Sequence, residues 1–162
     1  MTIAAMLVTL AALLATGLAA GVFYAYATSV MLALDRLPPQ QAIDAMRTIN
    51  VVILNPAFFA SFLGAAVLLP AATILTWLAG SASAATLLLA ASLAYGLGTF
   101  GVTVAVNVPL NDALGRLPHS STEPAADWAA FARRWNRWNR VRASFGALAT
   151  LFTGLALLAM AG

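Results

Sequence analysis

Apolar residues gather into four long runs, at about residues 3–34, 57–79, 85–106 and 143–161. A helix crossing a hydrocarbon core of ~30 Å needs roughly 20 such residues, so each run predicts a membrane-spanning helix. Between the first two runs, "RLPPQQAIDAMRTINVVILNPAF" changes the rhythm. Its paired prolines end one helix and open another, after which Ile43, Met46, Arg47, Asn50 and Leu54 fall on or near one side. The pattern predicts an interfacial helix after helix one, with a break at Asn55-Pro56. The expected fold is all-α: residues 1–162 form a single domain, an integral membrane four-helix bundle. Helix four is expected to start well outside the hydrocarbon core and to project into the headgroups or cytoplasm.

Polar and small positions predict which faces turn inward. In helix one, Gly17, Gly21, Tyr24, Thr28, Met31 and Asp35 recur at alternating steps of four and three, so this stripe is expected to face the bundle. Gly17 and Gly21 form a small-xxx-small pair that permits close backbone approach. Pro70 predicts a kink in helix two. In helix three, Ser92, Gly96, Thr99, Thr103 and Asn107 form a second stripe, which Pro109 is expected to stop, leaving Asn107 and Asn111 at the helix end. Pro124, with Glu123 and Asp127 beside it, suits the first turn of helix four, where acids complement the helix dipole.

Helix four carries the densest polar stretch, "RWNRWNRVR" at residues 134–142. At about 100° per residue, Arg133, Arg137 and Arg140 cluster on one side, while Trp128, Phe131, Trp135, Trp138, Asn139, Arg142 and Gly146 gather on the other. The first group reads as a headgroup anchor. Arg142 shares its face with Asn139, Gly146, Thr150 and Thr153, positions expected to meet other helices. An inward guanidinium needs partners, and Asp35, Asn50, Asn107 and Asn111 are the candidates at that depth. Two readings stay open: Arg142 ties the bundle together through Asp35, or it belongs to a site.

Composition narrows the functional classes. The chain is 62% hydrophobic and 8% charged, and its mean hydropathy of +0.92 exceeds what a soluble domain needs. The isoelectric point of about 10.2 does not signal nucleic acid. The eight basic residues, all arginine, divide between the two longer connections rather than forming one solvated patch. By the positive-inside rule those connections face the cytoplasm of a bacterial inner membrane, and both termini lie on the other side. The first span lacks a basic leader and continues too far for a signal peptide, so it is expected to be retained. There is no cysteine, and the lone histidine, His119, sits in a loop without clustered carboxylates, so no metal site is expected.

The segments "VMLALDRLPPQQAIDAMRTINVVILNP", "VNVPLNDAL" and "FARRWNRWNRVR", in this order between apolar spans, resemble the bacterial branch of the anthrone oxygenase-like family of small four-helix membrane proteins. The resemblance covers nearly the whole chain. One departure is Leu32, where the family often has proline after Val-Met. The resemblance implies oxidation of an anthrone-like aromatic substrate by dioxygen, without a cofactor. Such chemistry asks for an apolar pocket, aromatic walls and donors aimed at a developing oxyanion. Asn107, Asn139 and Arg142 could be those donors, Asp35 or Asp112 a base, and Tyr24, Trp135 and Trp138 the walls, with Asn50 and Asn111 as further ligand contacts. The competing class is a non-catalytic module holding a lipid, quinone or other apolar molecule between its helices. The bilayer and an apolar small molecule are the expected partners, and a homo-oligomer is left open. A channel or transporter finds little support, because neither an inverted repeat nor an acidic ring is visible.

Overall fold

A computed structural model describes residues 2–118 and 121–161, and the expectation for His119 lies outside the described residues. Five helices account for nearly all of them: α1 Ile3–Leu34, α2 Pro39–Val52, α3 Pro56–Leu78, α4 Ala82–Gly115 and α5 Pro124–Ala161. All but α2 are long and apolar enough to cross a membrane. The protein is an all-α, multi-pass membrane bundle, and no strand occurs among the described residues.

Local chemistry sets the boundaries. Pro39 and Pro56 occupy first-turn positions of α2 and α3, where a missing N–H costs nothing. Asn55 caps α3, its Oδ1 accepting the backbone N–H of Phe58 at 3.0 Å. Gly80, at φ 82°, turns the chain beyond α3 in the left-handed conformation that glycine adopts without strain. The 38 residues of α5 extend about 57 Å at 1.5 Å per residue, so its first turns outrun the hydrocarbon core as expected.

Around the bundle, α1 packs on α3 and α5, and α4 packs on the same two helices, while α2 lies across the start of α5 and the end of α4. The buried face of α5 follows a repeat of threes and fours from Trp128 through Trp135, Asn139, Arg142, Gly146, Ala149, Thr153, Ala156 and Met160. That is the seam of a left-handed bundle. Between lipid-solvated helices there is little hydrophobic drive, so close contact of small residues must supply the attraction. Several buried hydroxyls are satisfied within their own helix, as where Thr16 and Thr153 donate to carbonyls four residues back at 2.8 and 2.7 Å.

Two expectations are corrected. The inward face of α1 runs through Thr9, Ala12, Thr16, Ala19, Phe23, Tyr26, Met31 and Leu34, not through Gly17, Gly21 and Tyr24. Tyr24 is 65% exposed, and a Cβ on Gly21 would meet nothing within 4 Å. The predicted stripe held one phase throughout, but the true face steps five residues from Tyr26 to Met31, across a π-helical turn at Tyr26–Val30. One extra residue in that turn rotates everything after it. Gly17, Gly21 and Tyr24 are already out of phase before that turn, and the added residue brings Met31, alone of the predicted stripe, onto the buried face. In α4, Pro109 does not stop the helix, which continues to Gly115. A π-helical turn at Thr103–Asn107 widens the backbone just before it and gives room for a ring that would clash in a regular helix.

Candidate functional site

Arg142 is 5% exposed in the middle of α5. Its guanidinium carbon lies 4.1 Å from the Phe23 ring centroid and 4.9 Å from that of Trp135, so aromatic faces from α1 and α5 hold the cation. Its Nε donates to Asn139 Oδ1 at 3.0 Å, and its Nη1 donates to Thr103 Oγ1 at 3.4 Å. Asn139 in turn donates from Nδ2 to the Phe23 carbonyl at 3.0 Å, which fixes its amide orientation. The Thr103 hydroxyl donates a hydrogen bond to the Thr99 carbonyl at 2.7 Å, leaving its oxygen free to accept.

No carboxylate lies within ion-pair distance of Arg142 among the described residues; the one ion pair there joins Arg47 and Asp44 at 3.3 Å. A guanidinium has five N–H groups. With two engaged, the others have no protein acceptor among the described residues. An unpaired buried cation is costly, and its retention usually signals a function.

Arg142 faces a cavity of about 670 Å³. Phe23, Tyr26, Phe58 and Trp135 form aromatic walls, with Thr103 beside the guanidinium. Tyr26 and Trp135 stack at a tilt, with centroids 5.4 Å apart. Asn50, Asn111, Asp112, Arg47 and Arg116 supply polar groups, and Val51 and Leu54 add exposed apolar side chains. Arg47 also pins α2 to the end of α4, donating to the carbonyls of Leu114 at 3.1 Å and of Leu117. Both carbonyls lie at the end of α4, where a cation complements the helix dipole.

The predicted residues thus divide. Arg142, Trp135, Asn50 and Asn111 line the cavity. Asn111 accepts from the Trp135 indole at 2.8 Å and so holds that wall in place. Asn139 and Asn107 are fully buried and outside the lining. Asn107 donates to the Trp135 carbonyl at 3.4 Å, while its Oδ1 has no partner among the described residues. Tyr24 and Trp138 are not in the lining; Tyr24 lies out of phase with the inward face of α1, and Trp138 is only partly buried. Asp35 is exposed and accepts from the Trp128 indole at 2.9 Å, tying the end of α1 to the start of α5. It does not pair with Arg142. Asp112 is the carboxylate that lines the cavity.

Phe23, Tyr26, Phe58 and Thr103 complete the lining without having been expected there. A signal for two of them exists: the run Thr9, Ala12, Thr16, Ala19 continues at steps of four and three to Phe23 and Tyr26.

The fold and cavity together define a class: a polytopic helical membrane protein with a buried cation facing an aromatic chamber. The sequence profile described as anthrone oxygenase matches residues 56–152, more than half of the chain, and the protein belongs to this family. The matched segment holds Thr103, Asn107, Asn111, Trp135, Asn139 and Arg142, whereas Phe23, Tyr26, Arg47 and Asn50 come from helices before it. No curated protein and no solved structure matches the chain significantly.

Proposed function

We propose that the protein is a cofactor-independent membrane oxygenase that converts an anthrone-like aromatic ketone to the quinone with dioxygen. The observation that carries this reading is the buried Arg142 guanidinium, free of any carboxylate partner among the described residues and facing an aromatic-walled cavity. Such a chamber lies within the usual ligand-pocket range of about 300–1,000 Å³.

The chemistry balances without a bound group. A base removes a proton from the ring methylene opposite the ketone, giving an aromatic oxyanion on the former ketone oxygen. That electron-rich anion passes one electron to dioxygen, and the resulting radical pair closes a carbon–oxygen bond at the methylene carbon. After protonation to the hydroperoxide, loss of the second methylene proton breaks the O–O bond, forming the new carbonyl and releasing water. One dioxygen is consumed per anthrone. Arg142 lowers the barrier by stabilising the oxyanion, Asn139 and Thr103 hold the guanidinium in place, and Phe23, Tyr26 and Trp135 clasp the planar rings. The base is assigned to Asp112 rather than Asp35, because Asp112 lines the cavity.

The test is oxygen uptake by the purified protein with anthrone. The reading expects uptake in equal amounts with anthrone consumed, and anthraquinone as product. No protein-dependent uptake with several anthrones removes it. The exposed apolar Val51 and Leu54 at the cavity favour the non-catalytic reading as second: a lipid or quinone reaches the same chamber from the bilayer. That reading expects a co-purifying apolar molecule and no turnover.

The arginine-bearing end is placed in the cytoplasm and both termini opposite, in a bacterial inner membrane. Cysteines replacing Ser83 and Thr122, both exposed, should label in sealed cells from the outer face and the cytoplasmic face respectively; the opposite pattern reverses the orientation, and labelling of both from one face removes the four-span topology.

A further inference from the structure

The charges at the cavity point to the ionisation state of what it binds. Its lining carries three guanidinium groups, from Arg47, Arg116 and Arg142, against one carboxylate, from Asp112, and the neutral phenol of Tyr26. Arg47 is occupied by Asp44 and two helix-end carbonyls. Arg142 has no carboxylate within ion-pair distance among the described residues, and its remaining N–H groups lack a protein acceptor there. The groups packed against it from every side are neutral: Phe23 and Tyr26 from α1, Thr103 from α4, and Trp135 and Asn139 from α5. With aromatic rings against the guanidinium, a ligand must meet its N–H edge with oxygen. A neutral ketone would leave the buried charge uncompensated, whereas an anionic oxygen would neutralise it.

We infer that the cavity selects planar aromatic ligands in their ionised form, as aryloxides or enolates, with Arg142 as the buried counter-cation. This rests on the cavity of the proposed oxygenase but extends beyond the transition state. Ionised hydroxyquinones, which join the ring system of the proposed product to an anionic oxygen, should bind as stable ligands and inhibit. A fatty-acid carboxylate would satisfy the charge too, but the walls of Phe23, Tyr26, Phe58 and Trp135 favour a flat aromatic anion.

Danthron, a dihydroxyanthraquinone that turns from yellow to red on ionisation, reports the bound state directly. Titrated with the purified protein in detergent, it should redden at a pH at least about one unit below its midpoint in empty micelles, a tenfold preference for the anion. Its dimethyl ether, which cannot ionise, should bind at least tenfold more weakly, and oleate should compete less well than danthron. Arg142→Gln should abolish the shift. The comparison of danthron with its ether needs only the wild type, so it stands even if that variant does not fold. Equal binding of danthron and its ether, an unshifted midpoint, a shift that persists in Arg142→Gln, or preferential displacement by oleate would each overturn the inference. A shift without anthrone-dependent oxygen uptake keeps the inference and removes the oxygenase; uptake without a shift does the reverse.

Discussion

At the end of the bundle that carries both termini, the helices meet through Ala72, Ala84, Leu88, Ala156 and Met160. At the arginine-bearing end they meet through Tyr26, Met31, Met46, Trp128, Phe131 and Trp135. Small side chains at a regular repeat let helices approach until their surfaces interlock. Large rings and π-helical turns leave volume between the helices, and here that volume opens beside a buried cation. The π-helical turns at Tyr26–Val30 and Thr103–Asn107 each begin with a residue that lines the cavity, Tyr26 and Thr103. The contrast separates two tasks within one bundle: small-residue packing holds the helices together at one end, and large rings with these two π-helical turns frame the chamber at the other. The π-helical stretch Ala94–Gly101 belongs to the packing, through Tyr95, Gly98 and Thr99.

Substitutions can break this contrast from either side. The largest effect on stability is expected at Gly98, where a Cβ would overlap the side chain of Phe145 at the contact of α4 with α5. Gly98→Val should cost about 1–3 kcal/mol by overpacking, read as reduced resistance to unfolding in detergent. Next comes Arg47→Ala, which removes the donors that pin α2 to α4. A loss of roughly 1 kcal/mol is expected, together with faster proteolysis within α2 and no change in the transmembrane helices. Smallest are Gly21→Ala, in open space, and Arg137→Ala, on the exposed face of α5, each expected within about 0.5 kcal/mol of wild type in the same assay. A large effect of Gly21→Ala would show that this face of α1 is packed after all.

The sequence made different parts of this legible to different degrees. The four spans, the interfacial α2 and the division of α5 into an arginine face and an inward face follow from hydropathy and a regular repeat, because α5 keeps one phase along its length. Arg142 was legible for the same reason. The inward face of α1 was not, since an apolar helix gives glycine, alanine and leucine stripes almost equal claim. The π-helical turn at Tyr26–Val30 leaves no mark that periodicity detects. Asp35 misled because a carboxylate at a matching depth suggested a partner for Arg142, whereas the nearer indole of Trp128 takes it. The absence of a countercharge, which now carries the functional argument, is a property of three-dimensional arrangement alone.

Arg142 is expected to serve the proposed chemistry rather than folding. Replacing a buried charge that has no ionic partner by an apolar side chain of similar length strands no carboxylate and removes the desolvation cost of the charge, while leaving Asn139 Oδ1 without its donor. The direct test is to measure unfolding and anthrone-dependent oxygen uptake on one preparation of Arg142→Met beside the wild type. Stability within about 2 kcal/mol of wild type, with turnover lower by roughly 10²-fold or more, is the predicted result. Turnover at the wild-type level in a folded Arg142→Met protein would contradict it.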